Sequence, residues 1–415
     1  MNARRVFIST ALVLAINLIG LMTALGPDDV SEDKDTQAIV SAIAKRGAPL
    51  SWFRTDWPLE NGFYRPIPTL TFQWDRAVFG GDLPKYRLTN WLIACLCSFA
   101  LVWFVWELFR TYAQAVLAGS LLAFWHSDVQ RFIPVDWLCW IGAGIAFAWC
   151  LISPKGRRLD RLLLAGILMV LAFELVFGLA QSDINSKSLS WRVVGWPPGR
   201  TASCMALFAL ISMAAYCRFE RTNGWRWLLL FAAGLIGAFC SYEQSVVLIG
   251  CFPGIALVLR MQNVRVHWIA PLCAATAGFG YAGLHSALLR SDTAYRLQQA
   301  RPVIGGMRDL SAWLLPFASN FRSFFSMLIP DVGILFLSGF WMRAVLAFGS
   351  LAGTIGFVRK PSLIWITGLL GSVGTYGPLA FQHPFAHYYY FPAAFRAMFA
   401  TGLIMMVTGF ARRAE

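Results

Sequence analysis

Apolar runs of about 18 or more residues recur along the whole chain, separated by shorter polar stretches. Each run is long enough to cross about 30 Å of hydrocarbon as a helix. Because lipid offers no water to pair with backbone amides, such runs must be helical. The two-residue alternation typical of a membrane barrel is not the period of this sequence. The pattern predicts an all-α polytopic membrane protein with about twelve transmembrane helices.

Basic clusters at the ends of the apolar runs orient the predicted helices. Cytoplasmic loops carry an excess of Lys and Arg. With the helices alternating, all of the clusters fall on one side: Arg4-Arg5, Arg110, Lys155 to Arg161, Arg218 to Arg226, Arg260 to Arg265, Arg359-Lys360 and Arg412-Arg413. We therefore expect both termini in the cytoplasm and the long loops outside. As a separate expectation, the membrane is a bacterial inner membrane and the active site faces the periplasm.

Composition agrees with a membrane protein and narrows the possible partners. The chain is 58% hydrophobic and 13% charged, whereas soluble domains carry about 25% charged residues. The net charge of +14 is located mainly at helix ends, so no nucleic-acid partner is expected. The nine cysteines lie mostly inside apolar runs and are interpreted as packing residues.

Two long polar segments are expected outside the membrane, at residues 27–87 and 290–332. The first contains two short amphipathic stretches, Asp35 to Arg46 and Pro68 to Phe79. Both are predicted to be helices lying on the membrane surface. The chain is otherwise expected to form a single transmembrane domain, 1–415, without a separate soluble domain.

The first polar segment holds the strongest candidates for chemistry. Asp28 and Asp29 follow the first apolar run directly. They are either a solvated helix cap or a general base at the membrane interface, since neighbouring carboxylates raise one another's pKa. Arg65 pairs either with a headgroup phosphate or loop carboxylate, or with the phosphate of a lipid leaving group.

Other polar residues between apolar runs are weaker candidates. Glu243 is costly to bury and is expected to face a cavity or a partner. His126 with Asp128, and His383 with His387, could contribute to a divalent metal site, but polar surface turns explain such pairs as well. No metal site is indicated. Further outer arginines are candidates for phosphate contacts or for headgroup anchoring: Arg131, Arg200, Arg296, Arg301 and Arg322.

The run from Phe63 to Phe72, followed by Asp75, Phe79-Gly80 and Tyr86 to Asn90, resembles the signature of one family. That family is the GT-C superfamily of membrane glycosyltransferases, in particular the transmembrane O-mannosyltransferases that carry tetratricopeptide repeats. Three later blocks resemble the family's motifs in the same order: Val194 to Arg200, Ser241 to Gln244, and Tyr388 to Pro392.

The resemblance implies a GT-C-like bundle and transfer of a sugar from a polyprenyl-phosphate donor to an acceptor, with inversion. Asp28 and Asp29 occupy the position of the family's catalytic carboxylates. Arg65, Tyr64 and Arg200 are the expected donor-phosphate residues. Supporting residues of the cavity are expected at Glu243, Tyr242, His387, Tyr388, His126 and Asp128.

The chain departs from the family pattern at several points. The family's lysine is replaced by Tyr242 and its arginine by His387. Its histidine turn corresponds either to His126 to Asp128 or to the region before Trp196. The sugar and the acceptor, which could be protein, lipid or polysaccharide, therefore stay open. The alternative function is a membrane transporter or a flippase for lipid-linked saccharides, which would be expected to show inverted repeats and broken helices.

Overall fold

The computed structural model describes residues 3–26, 30, 33–46, 48–60, 62–127, 158–180, 188–288, 351–359, 362–377 and 385–414, with isolated positions between 141 and 152. Several residues predicted to be functional lie outside this part of the chain: Asp28, Asp29, Asp128, Arg131, Arg296, Arg301, Arg322, His383 and the segment 290–332.

The described residues form helices and turns, with no β-strand among them. Residues 351–359 are also helical. The remaining α-helices are α1 (Ala3–Ala24), α2 (Lys34–Arg46), α3 (Pro66–Phe79), α4 (Tyr86–Phe109), α5 (Tyr112–His126), α6 (Arg158–Ala180), α7 (Arg200–Thr222), α8 (Trp225–Phe239), α9 (Leu248–Met261), α10 (Ile269–Leu288), α11 (Leu363–Tyr376) and α12 (Tyr390–Ala414).

Four helical stretches are long and apolar enough to cross a membrane: Leu83–Phe109, Pro197–Thr222, Glu243–Met261 and Ala386–Gly409. Shorter apolar helices cover Thr10–Ala24, Trp225–Phe239, Ile269–Tyr281 and Leu363–Tyr376. The chain is therefore a helical membrane protein, as the apolar runs predict.

Helices α4 and α7 run parallel through the centre of the bundle. At their first turns, Arg200 Nε donates to Asn90 Oδ1 at 2.8 Å. At their last turns, Arg218 Nη1 lies 3.3 Å from Glu107 Oε1. The two helices thus begin on the same side of the bundle and end on the same side. The alternation of basic clusters predicts this arrangement for them.

Basic clusters from distant parts of the sequence meet at the ends of these helices. Arg110 and Arg218 both pair with the buried Glu107. Arg359 Nη1 lies 2.5 Å from Asp160 Oδ1, at the start of α6. These contacts agree with a shared side for the clusters, and the compartment that this side faces stays a prediction.

Glycine allows the last two helices to pack at very short range. A Cβ atom on Gly368 of α11 would lie 2.2 Å from the backbone nitrogen of Phe399 in α12. A Cβ atom on Gly402 would lie 2.7 Å from Cα of Trp365. Such close backbone approach at small residues is how helices gain packing energy in lipid, where the hydrophobic effect between them is weak.

The segment between α1 and α4 has a small hydrophobic core of its own. Helices are present at both predicted amphipathic stretches, as α2 and α3. Their apolar residues pack against one another and against two tryptophans: the buried set is Ile39, Ile43, Trp52, Trp57, Phe72 and Tyr86. Trp74 and Val78 of α3 are each 54% exposed, so these two side chains remain available to a membrane surface.

Candidate functional site

Arg65 is held at the start of α3 by local backbone constraints. Pro66 and Pro68 occupy the first turn of the helix, where proline costs no hydrogen bond. A turn precedes Arg65: Gly62 has φ 79°, a conformation that favours glycine. The Gly62 amide donates to Asp56 Oδ2 at 2.7 Å. The Tyr-Arg-Pro sequence thus fixes Arg65 where loop becomes helix.

Arg65 and Glu243 form a bidentate ion pair. Nη2 lies 2.7 Å and Nε 3.0 Å from Oε2, and Nε lies 3.2 Å from Oε1. Burial opposes the charge of Arg65 and is the largest single effect, but Glu243, Tyr242 and Tyr388 together outweigh it, so the pKa of the guanidinium is raised. Arg65 is therefore a permanent cation with its carboxylate partner fixed beside it.

Three aromatic rings surround the guanidinium of Arg65. Its Cζ lies 4.2 Å from the ring centre of Phe63, 4.6 Å from that of Tyr242 and 5.6 Å from that of Trp57. Cation–π contacts of this kind stabilise an arginine by about 0.5–2 kcal/mol each. Burial, with a smaller contribution from Tyr388, raises the pKa of Tyr242 well above its usual value, so its hydroxyl stays protonated.

His387 also lies near Tyr242, among aromatic side chains. Ring centres lie 4.6 Å away for Tyr388, 5.6 Å for Trp196, 5.8 Å for Phe385 and 6.3 Å for Tyr242. His387 belongs to the 3₁₀ turn Ala386–Tyr389 that precedes α12. Tyr242 therefore contacts both the Arg65 pair and a second, histidine-centred cluster.

Hydrogen bonds fasten these turns to one another. Gln244 Nε2 donates to the Tyr388 carbonyl at 3.1 Å, and the Ile67 amide donates to the Cys240 carbonyl at 3.1 Å. The Tyr64 hydroxyl donates to the Phe53 carbonyl at 3.1 Å. Burial raises the pKa of Tyr64 to about 12, which keeps that donor protonated. Tyr64 thus braces the loop.

Four blocks of sequence converge at this place. They are the Tyr64-Arg65-Pro66 segment, the loop at Trp196, the turn Ser241 to Gln244 and the turn at His387. Comparisons of the chain with protein-family models, with curated proteins and with solved structures find no match. The case for a functional site therefore stands on the chain's own geometry.

Arg200 does not lie with Arg65. Its side chain is fully buried at the start of α7 and pairs with Asp75 at 2.5 Å, both side chains being 0% exposed. Nη2 donates to the Tyr86 carbonyl at 2.8 Å, and Nε is occupied by Asn90. A guanidinium engaged in this way is a structural cross-link between α3, α4 and α7. This geometry does not favour the predicted contact with a donor phosphate.

His126 is likewise placed differently from its expected position. The sequence suggested a polar outer turn, but His126 ends α5 and is fully buried. Its Nε2 lies 2.8 Å from Asn17 Oδ1, and its Nδ1 lies 3.1 Å from the Tyr390 hydroxyl. The expectation of a surface turn at His126 is therefore wrong, because the residue links α1, α5 and α12 inside the bundle.

Arg192 is a second arginine surrounded by aromatic rings, and it is not among the residues predicted from the sequence. Its Cζ lies 4.8 Å from the ring centre of Trp196, 5.3 Å from that of Trp191 and 5.5 Å from that of Phe385. Trp191 and Trp196, which lie on either side of Arg192 in the sequence, are the feature from which its aromatic surroundings could have been predicted. Close approach of the following turn requires glycine, since a Cβ atom on Gly199 would lie 1.6 Å from the Arg192 carbonyl oxygen.

Asp33 and Asp35 connect the start of α2 to this cluster. Trp196 Nε1 donates to Asp33 Oδ2 at 3.2 Å. Burial raises the pKa of the Asp35 carboxyl, Asp33 adds to the effect, and Arg192 opposes it. Within the described ranges, no group of three His, Cys, Asp or Glu side chains is arranged to hold a metal ion.

An apolar groove of about 460 Å³ runs between α9 and α11. It begins at Val247, one helical turn after Glu243, and extends to Met261, a distance of about 21 Å along the helix. Gly250 and Gly254 line it with open space beside their Cα atoms. The groove can hold an extended hydrocarbon chain whose polar end lies near Glu243.

Proposed function

We propose that the protein is a membrane glycosyltransferase that moves a sugar from a polyprenyl-phosphate donor to an acceptor hydroxyl group. The convergence of four separate sequence blocks around Arg65 carries this proposal. Those blocks are the ones in which the chain resembles GT-C glycosyltransferases, and they lie far apart in the sequence.

Arg65 is proposed to bind the donor phosphate. Nε and Nη2 are engaged by Glu243, and Nη1 has no hydrogen bond within the part of the chain that the structure describes. A planar guanidinium recognises a phosphate well and keeps its charge in an apolar site. The aromatic cage limits its movement, so the positive charge is already oriented when the donor arrives.

The apolar groove between α9 and α11 supports a lipid-linked donor over a soluble one. It is lined mainly by apolar side chains and glycines, with Thr367 and Thr375 as the polar exceptions, and it starts beside the turn that carries Glu243. A polyprenyl chain in this groove would leave its phosphate near Arg65. The lipid would enter sideways from the bilayer, since exposed residues such as Leu257 and Leu370 border the groove.

The proposed reaction is a single displacement with inversion. Asp28 or Asp29 takes the proton of the acceptor hydroxyl, the hydroxyl oxygen bonds to the anomeric carbon, and the bond from that carbon to the phosphate oxygen breaks. The electron pair leaves with the polyprenyl phosphate, whose added charge Arg65 stabilises. In the sequence, both aspartates lie shortly before Asp33, which contacts Trp196.

The proposal includes a bundle of about twelve transmembrane helices, cytoplasmic termini and a site that faces the periplasm of a bacterial cell. It is tested with purified protein in liposomes that contain radiolabelled undecaprenyl-phosphate hexoses. Transfer of label to an acceptor fraction, lost in the Asp28→Asn, Asp29→Asn double variant, is the expected result. A double variant of normal activity would remove the aspartates from the mechanism.

A further inference from the structure

Within the described part of the chain, a buried nitrogen of His387 has no hydrogen-bond partner. The residue is 8% exposed, and its Nδ1 is buried with no hydrogen bond. Buried polar groups in folded proteins are nearly always paired, because an unpaired group loses its hydration without compensation. An unpaired nitrogen beside a candidate site indicates a group that a ligand completes.

The surroundings of His387 are those of a small-molecule site. Its neighbours are the rings of Trp196, Tyr242, Phe385 and Tyr388. Ligand sites in proteins are typically lined by apolar and aromatic side chains, with a few polar groups that fix the orientation of the ligand. Here the imidazole is one such polar group, and Arg192, whose guanidinium lies over the rings of Trp196 and Phe385, is another.

The position of His387 relates it to the proposed phosphate site. Tyr242 is shared by the two, with its ring 4.6 Å from the Arg65 guanidinium and 6.3 Å from the His387 ring. A sugar and its phosphate are adjacent groups of one donor molecule. If Arg65 binds the phosphate, the next cluster along the site is where the sugar would lie.

We propose that His387, Trp196 and Tyr242 form the sugar subsite of the donor, and that His387 hydrogen-bonds one sugar hydroxyl and thereby selects the sugar. This inference rests on the proposed function. The carbon–hydrogen faces of a pyranose pack on aromatic rings. A hydroxyl both donates and accepts, so one sugar hydroxyl can pair with Nδ1 in either tautomer of the neutral imidazole. Because Nδ1 is buried in the structure, the proposal requires that the His387 or Phe385 side chain turns when the ligand binds.

The test compares hydroxylated and deoxy donors on the full-length protein. Affinities are measured for undecaprenyl phosphate, for its mannose, glucose, galactose and N-acetylglucosamine derivatives, and for the monodeoxy analogues of the sugar that binds best. The wild type is expected to disfavour one monodeoxy analogue by about tenfold or more, because a site built to bond a hydroxyl is left unpaired without it.

In His387→Phe, the ratio of the affinities for the hydroxylated and the deoxy donor should fall to about one. The affinity for bare undecaprenyl phosphate should be unchanged. His387→Asn, which keeps a donor and an acceptor, should retain part of it and also serves if the phenylalanine variant does not fold. His267→Phe is the control, because His267 lies away from this cluster, beside Glu220 in the last turn of α7; it should keep the full preference. A purely structural role for His387 would weaken all the ligands equally.

The outcomes separate the two claims. If the wild type binds a sugar-bearing lipid and His387→Phe keeps the deoxy preference, the subsite is wrong and the proposed function stands. If the wild type binds none of the polyprenyl-phosphate sugars, the proposed function fails and the subsite fails with it.

Discussion

Arg65 and Glu243 are 178 positions apart in the sequence, and their side chains are joined by a two-pronged ion pair with a shortest distance of 2.7 Å. The pair connects the loop before α3 to the turn after α8. A phosphate that binds Arg65 therefore meets a cation whose charge is already partly balanced. Glu243 orients the guanidinium and at the same time competes with an anionic ligand.

Glu243→Gln should bind bare undecaprenyl phosphate more tightly than the wild type and transfer sugar more slowly. Loss of the carboxylate charge leaves Arg65 as an unbalanced cation, and we expect a gain of about tenfold in affinity, or about 1.4 kcal/mol. The guanidinium also loses its strongest positioning contact, so the rate of transfer should fall. Equilibrium binding and single-turnover transfer measure the two effects separately.

Glu60→Gln is the control for this change. Glu60 also faces an arginine, Arg46, but at 3.7 Å and with a largely exposed side chain. Both affinity and rate should stay at wild-type values in this variant. If Glu243→Gln leaves the affinity unchanged or weakens it, then Glu243 does not compete with phosphate at Arg65.

The buried pair of Asp75 and Arg200 should matter for stability. Removal of one charge leaves the other buried and unpaired, so Asp75→Asn or Arg200→Met should each lower the free energy of unfolding by about 3–5 kcal/mol. The double variant Asp75→Leu, Arg200→Met should recover much of this loss. Unfolding of the purified protein in detergent measures all three.

Asp82→Asn provides the comparison for the buried pair. Asp82 pairs with Lys85 at 2.7 Å, but both side chains are exposed, and exposed pairs contribute about 0–1 kcal/mol. Equal effects of Asp75→Asn and Asp82→Asn would contradict the structural role given to Arg200.

His126 and Tyr390 should be energetically coupled. Tyr390→Phe leaves Nδ1 of His126 without its partner, at an expected cost of about 1–3 kcal/mol. In a double-mutant cycle, His126→Phe and Tyr390→Phe should differ from additivity by at least about 0.5 kcal/mol. Additive losses would mean that the hydrogen bond between these side chains contributes little.

The sequence predicted much of the fold because helical signals are local. The apolar runs of α4 and α12 and the proline at the start of α3 are visible in a window of a few residues. It also singled out Arg65, Glu243 and His387, which the structure brings to one place.

The partners of the charged residues could not be predicted in the same way. Arg200 follows a polar loop, as an exposed arginine would, and only the packing of α3 against α4 and α7 brings Asp75 to it. His126 ends an apolar run, which is equally typical of a surface turn. Whether a polar group is buried depends on neighbours far away in the chain, and no single stretch of sequence contains that information.

The central claim is that Arg65 binds the phosphate of a lipid-linked sugar, and the most direct measurement is sugar transfer by Arg65→Gln. With undecaprenyl-phosphate hexoses as donors, this variant should lose about 10²–10³-fold in rate, as expected when a charge-stabilising donor is removed. Arg46→Gln is the matched control, because Arg46 also lies over a tryptophan and faces a glutamate; it should transfer at the wild-type rate. Wild-type transfer by Arg65→Gln, or equal losses in both variants, would contradict the account.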